Sequence, residues 1–282
     1  MHLIWRRLAS ICLSAMILTI LTSHAEAHVK WLCGAVDVST PPLALAAVLS
    51  PTLLVVGAAS MALVSAGGLL DTLALRRWPA LLRRGRTSEM LEESLIRFGV
   101  GFYLVLLWGR IGVAPWGIAR EGAALTPELL VQGPWLAWLQ LATAAMVVFR
   151  RTCPLGALGM FALYGVGVVH YGLFHMTDDT IFLGLAGCLA LSHPFFDRRP
   201  TRQQWRVPLV AATLGFSLMW TGIEKFPYPA WAAIILAAHP IITLSFPGSF
   251  VAVAAGFVEF SVAFSLLVGR SLLRVDASTR RS

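Results

Sequence analysis

Ser249 to Val268 reads SFVAVAAGFVEFSVAFSLLV, a run of apolar and small residues interrupted by one ionisable side chain, Glu259. At 1.5 Å per residue a helix of this length is about 30 Å long, the thickness of the hydrocarbon layer of a bilayer. A second block of the same kind, Val207 to Phe226, precedes it and ends in Glu224-Lys225. The rest of the chain repeats the pattern. Of its 282 residues 57% are hydrophobic and 13% charged, whereas a soluble domain carries about a quarter charged residues. The apolar excess must face lipid, where only helices and closed barrels satisfy the backbone. Blocks of about twenty residues, rather than ten-residue alternating strands, exclude a barrel. The sequence therefore predicts an all-α, polytopic transmembrane helical bundle.

Seven spans are expected. The first runs from about Pro42 to Leu70 and bends at Pro51, because proline cannot donate to the preceding turn. The others cover about Leu95–Trp116, Pro134–Phe149, Pro154–His175, Thr180–His193, Val207–Phe226 and Ser249–Val268. Pro227 to Gly248, apolar but broken by Pro229, Pro240 and Pro247, reads as an interfacial or dipping segment anchored by Tyr228 and Trp231.

The net charge is +8, and sixteen of the 22 Lys and Arg fall in four clusters: Arg76 to Arg97, Arg150-Arg151, Arg198 to Arg206, and Arg270 to Arg281. All four lie between or after apolar blocks. That is the positive-inside pattern of a bacterial-type inner-membrane protein, with the lipid bilayer as partner, rather than a nucleic-acid footprint. It sets the N-terminus in the periplasm and the C-terminus in the cytoplasm. At the start of the chain, Arg6-Arg7, an apolar run from Leu8 to Thr22 and Ala25-Glu26-Ala27 read as a signal peptide, cleaved to leave His28 as the mature N-terminus. On this topology no two of Cys12, Cys33, Cys153 and Cys188 share a compartment and a depth, so no disulfide framework is implied.

No phosphate loop, dinucleotide fingerprint, HExxH or CxxC is present. The candidates are instead ionisable residues within hydrocarbon. Glu259 sits about ten residues into the seventh span, roughly 15 Å deep, and must be protonated, paired or in a wet cavity. Pairing with Arg110 to hold helices together is one reading; proton handling is the other. Glu224-Lys225 ends the sixth span, either as an interfacial charge pair or as part of a site. His170 and His175, five apart, point about 140° from each other on a regular helix and do not chelate unless the last turn unwinds. His28, Cys33, Arg110, His170, His175, Glu224, His239 and Glu259 all map to the outer half of the bundle, and the cytoplasmic half holds almost no such groups.

The last two spans carry a resemblance. Leu218-Met219-Trp220-Thr221-Gly222-Ile223-Glu224-Lys225-Phe226 resembles the end of the first helix of the DoxX-like membrane family, and Gly256-Phe257-Val258-Glu259-Phe260 with Gly269 resembles its second helix. The second to fifth spans, opened by Arg97, are similar to the same four-helix plan. The resemblance implies one whole unit and a half unit ending at Arg270. It divides the chain into a signal peptide (1–27), a periplasmic segment with the first span and a basic loop (28–94), a four-helix unit (95–196), and two further spans with a basic tail (197–282). It implies quinone-linked or sulfur redox chemistry, since members include a subunit of a thiosulfate:quinone oxidoreductase, with Glu224, Lys225 and Glu259 at the matching positions.

Three functions stay open on the sequence. The first is an accessory or redox subunit binding a quinone or small periplasmic molecule, with Glu259 handling protons, Arg110 or Lys225 holding an anionic group, and other membrane redox subunits or a second copy as partners. The second is copper handling by His28, whose amine and imidazole suit that metal, aided by His170, His175, Met176 and Cys33. The third is a scaffold or assembly factor without a small-molecule site.

Overall fold

The computed structural model describes residues 41–77, 86–109, 113–114, 117–118, 121–196, 205–238, 240–243 and 245–268. The signal peptide, His28, Cys33, Arg110, His239 and the basic tail lie outside these residues. Among the described residues there are nine helices: α1 (Leu45–Val48), α2 (Pro51–Arg77), α3 (Arg86–Leu107), α4 (Pro134–Val148), α5 (Cys153–Met176), α6 (Ile181–Ala190), α7 (Arg206–Glu224), α8 (Pro229–Ala238) and α9 (Gly248–Val268). Four stretches are long and apolar enough to cross a membrane: Pro51–Leu70, Cys153–Asp179, Arg206–Glu224 and Gly248–Leu267. The chain is thus an all-α, multi-span membrane protein. Outward-facing leucines, valines and phenylalanines along every long helix, such as Leu54, Leu63, Leu158, Val169 and Val258, suit lipid rather than water.

The helices meet largely in chain order: α3 packs on α4, α4 on α5, α5 on α6, α6 on α7, α7 on α9, and α9 on α2. The first expected span is bent where proline demands it, with Pro51 opening α2 after the single turn of α1. The second differs from expectation. α3 begins at Arg86 and leaves the α-helix at Leu107, so it carries Arg86, Glu89, Glu92, Glu93 and Arg97 in its first half. Those charges keep it out of the long apolar set. Beyond it, two small antiparallel hairpins pair Val113–Ala114 with Gly117–Ile118 and Glu121–Ala123 with Leu130–Gln132.

The second hairpin plugs one end of the core. Leu125 at its tip is fully buried with Leu104, Leu136, Met160, Leu163 and Met176. Tyr103 donates its hydroxyl to the Leu125 carbonyl at 2.6 Å, and Tyr171 donates to the Leu130 carbonyl. These bonds fix the loop over α3 and α5.

Candidate functional site

α7 and α9 form the most extensive helix pair, and their seam is built on small residues. A Cβ on Gly222 would lie 2.7 Å from the Gly256 carbonyl oxygen, and one on Gly256 would lie 2.8 Å from that of Gly222. Backbone therefore touches backbone at this level. Gly215 meets Leu267 and Ala263 one stretch further along, so the two helices run antiparallel. The pair of motifs quoted above thus lies face to face.

This contact sets up the charged pair beside it. Lys225 and Glu259 each sit one turn after their helix's contact glycine, and antiparallel helices carry those two positions apart. Lys225 closes the gap by folding its stem back along α7. Its Nζ donates to the Thr221 carbonyl at 3.2 Å and meets Glu259 Oε2 at 2.5 Å. The Lys225 side chain is 8% exposed and that of Glu259 23%. Glu259 therefore pairs with Lys225, a partner the sequence reading did not name; Arg110, its partner on one of the two readings, lies outside the described residues. The sequence also measured the depth of Glu259 along α9 alone. The first eight residues of α9 extend past its crossing with Gly222, close to the end of α7, and α8 packs beside α9.

One face of α7 carries the remaining polar groups. Ser217, Thr221 and Glu224 repeat at helical spacing, and all three are buried. The Thr221 hydroxyl sits 3.2 Å from Asp178 Oδ1 and 2.9 Å from the Ser217 carbonyl, and the Ser217 hydroxyl donates to the Asp178 carbonyl. Asp178, in the turn after α5, is buried rather than a solvent turn residue. Glu224 accepts from Trp220 Nε1 at 2.8 Å.

Aromatic rings close around Glu224. Phe174 meets Trp220 edge-on at 5.2 Å and Tyr228 at 6.2 Å, and Tyr228 stacks on Trp231 at 4.2 Å. A cleft of about 180 Å³ opens between them, lined by Pro42, Phe174, Trp220, Ile223, Glu224, Pro227 and Tyr228. The segment ahead of α1 covers it, tied by Leu43 N–H to the Pro227 carbonyl at 2.9 Å.

The histidines take separate places. α5 breaks at Gly172, whose φ of 81° is left-handed and costs glycine little. The last turn is displaced, and His170 is exposed while His175 packs against Phe174 and Trp231. Among the described residues no group of three or more His, Cys, Asp or Glu side chains gathers as metal ligands.

The opposite end of the bundle gathers members of three of the basic clusters that the sequence sets together. That end is rich in ionisable groups: Glu93 on α3 is buried and engaged by Arg97, Arg150 and Arg206. Buried Cys153 and Cys188 lie nearby as free thiols. The chain matches no family model, no curated protein and no solved structure.

Proposed function

We propose that this protein is an inner-membrane accessory or redox subunit that holds a quinone-type head group in the aromatic cleft between α5, α7 and the Pro227–Tyr228 turn. The observation that carries this reading is a ring-sized, aromatic-walled apolar cleft, with the buried Glu224 behind its wall. Sites for drug-sized ligands measure about 300–1,000 Å³. A cleft of about 180 Å³ suits a single ring whose apolar tail remains in lipid. Phe174, Trp220 and Tyr228 would stack on the ring. Glu224, held by Trp220 Nε1 at 2.8 Å, would fix the indole that forms one wall. The Lys225–Glu259 pair, whose lysine directly follows Glu224, would place charge near a bound anionic form.

On this reading the DoxX-like plan assigns α3 to α6 to the four-helix unit and α7 with α9 to the half unit, which a second copy or another redox subunit would complete. The serial packing of α3 through α6 supports that assignment.

Organic extracts of the purified protein should contain quinone, and added quinone should quench tryptophan fluorescence. Trp220→Ala should weaken that binding at least about tenfold, because stacking and the Glu224 bond are lost together. Wild-type protein that neither retains quinone nor responds to it would refute the assignment.

The orientation has its own test. Reporters fused after Arg86, Arg151, Arg202 and Arg274 should read cytoplasmic, and those near Glu121, Asp179 and His239 periplasmic. Reversed signals at two or more positions would overturn the seven-span arrangement.

A further inference from the structure

The last turn of α5 lies where no continuous helix could put it. Tyr164 and Met176 are twelve residues apart, about 18 Å along a helix axis. Yet the Tyr164 hydroxyl donates to the Met176 carbonyl at 2.8 Å. A Cβ on Gly167, nine residues before Met176, would stand 2.6 Å from its sulfur. Both contacts require the chain to turn back on its own helix after Tyr171. Gly172 makes that turn. Its φ of 81° and ψ of 160° lie in a region essentially restricted to glycine, while a Cβ there would have open space around it. The backbone conformation, not crowding, is what requires glycine at this position.

The returned segment, residues 173–179, is held on both sides. Met176 is fully buried in the space that Gly167 leaves, beside the buried Tyr164. From α7 the Ser217 and Thr221 hydroxyls reach Asp178. Ahead of the break, Tyr171 donates to the Leu130 carbonyl of the hairpin. Backbone outside the common wells persists where its surroundings over-determine it, and such places cluster at ligand clamps. Here the segment so fixed carries Phe174. On a continuous α5, Phe174 would stand one turn beyond the exposed His170, on nearly the same face. Instead it meets Trp220 at 5.2 Å and Tyr228 at 6.2 Å and forms a wall of the cleft.

We propose that Gly172 and Tyr164 are positioning residues of the aromatic cleft. The break turns Phe174 into the cleft, and the Tyr164–Met176 bond latches it there before a ring arrives. The proposal rests on the quinone reading for the identity of that ring. Tyr164 is not among the residues that line the cleft; it acts through the carbonyl of Met176, two residues beyond Phe174. A wall already in place removes the ordering that a ligand would otherwise have to impose on binding.

The experiment places fluorophenylalanine at position 174 of the full chain in detergent. Its fluorine resonance is recorded without ligand, and binding of a short-chain ubiquinone is read from tryptophan quenching. Tyr164→Phe removes one hydroxyl and keeps the ring that packs in the core, so it should fold. Its resonance should shift, and quinone affinity should fall about fivefold, the net contribution of one hydrogen bond. Gly172→Ala should shift the resonance further and weaken quinone about tenfold, as the stacking of Phe174 is lost. Should Gly172→Ala fail to fold, Tyr164→Phe carries the test alone. Gly165→Ala, on the same helix and also with open space around a Cβ, should leave both readings at wild type. Unmoved resonances in Tyr164→Phe and Gly172→Ala, or moved resonances with unchanged quinone affinity, would overturn the proposal. Moved resonances in a protein whose wild type binds no quinone would refute the quinone reading while upholding the positioning of Phe174.

Discussion

Glu259→Gln will lower the melting temperature of the detergent-solubilised protein by an amount corresponding to about 3 kcal/mol, and the loss will come from Lys225 rather than from Glu259 itself. Breaking a buried ion pair by removing one partner costs about 3–5 kcal/mol, because a charge is left without compensation. The lower end applies here, since the Glu259 side chain is 23% exposed and solvent screens part of the interaction. After the substitution the Lys225 ammonium keeps the Thr221 carbonyl but loses its counter-charge while remaining 8% exposed. The double variant Lys225→Met, Glu259→Gln removes both charges and should recover most of the lost stability, since well-packed neutral replacements of a buried pair are often neutral or better. A single variant that melts with wild type would show that the pair contributes no net stability. Quinone retention separates structure from function. If the pair only joins helices, the double variant keeps ligand. If it orients a ligand, the double variant is stable and empty.

The helical class was legible because it rests on block length and hydropathy, properties of each segment by itself. So were Glu224, Lys225 and Glu259 as candidates, since each is an ionisable residue at an apolar helix end or interior. Their partners were not legible. The Lys225–Glu259 contact depends on how far α9 slides past α7, which the glycine crossing determines, and on a lysine stem that turns back along its own helix. The arginine clamp joins Glu93 to Arg206 across 113 residues, and only the neighbour order of the bundle brings them together. α3 starts earlier than expected because its charged first half, from Arg86 to Arg97, is helical despite being polar. The Ser217, Thr221, Glu224 stripe was missed, although its polar residues at helical spacing on an otherwise apolar span were a signal that could have found it. Asp178 was not legible, because a Thr-Asp-Asp turn looks like a solvent turn until α7 is packed against it.

Substituting Gly222 should have the other large effect, and its sign runs against local propensity. Glycine in a helix interior is about 1 kcal/mol worse than alanine, so an exposed Gly→Ala change stabilises. Gly165 on α5 is such a position, with open space around a Cβ, and Gly165→Ala should raise stability by up to about 1 kcal/mol. Gly222→Ala should do the opposite. Its Cβ would stand 2.7 Å from the Gly256 carbonyl oxygen and 3.2 Å from the Phe260 nitrogen, which are backbone atoms that no rotamer change can move. The helices must part, at a cost of about 1–3 kcal/mol after the propensity gain, and Gly222→Val should cost more. Parting them also lengthens the reach from Lys225 to Glu259. Gly222→Ala and Glu259→Gln should therefore be non-additive, the second change costing less when the first is present. Full additivity would mean that the glycine contact and the ion pair hold α7 and α9 independently, and a Gly222→Ala protein as stable as Gly165→Ala would show that the seam has room to spare.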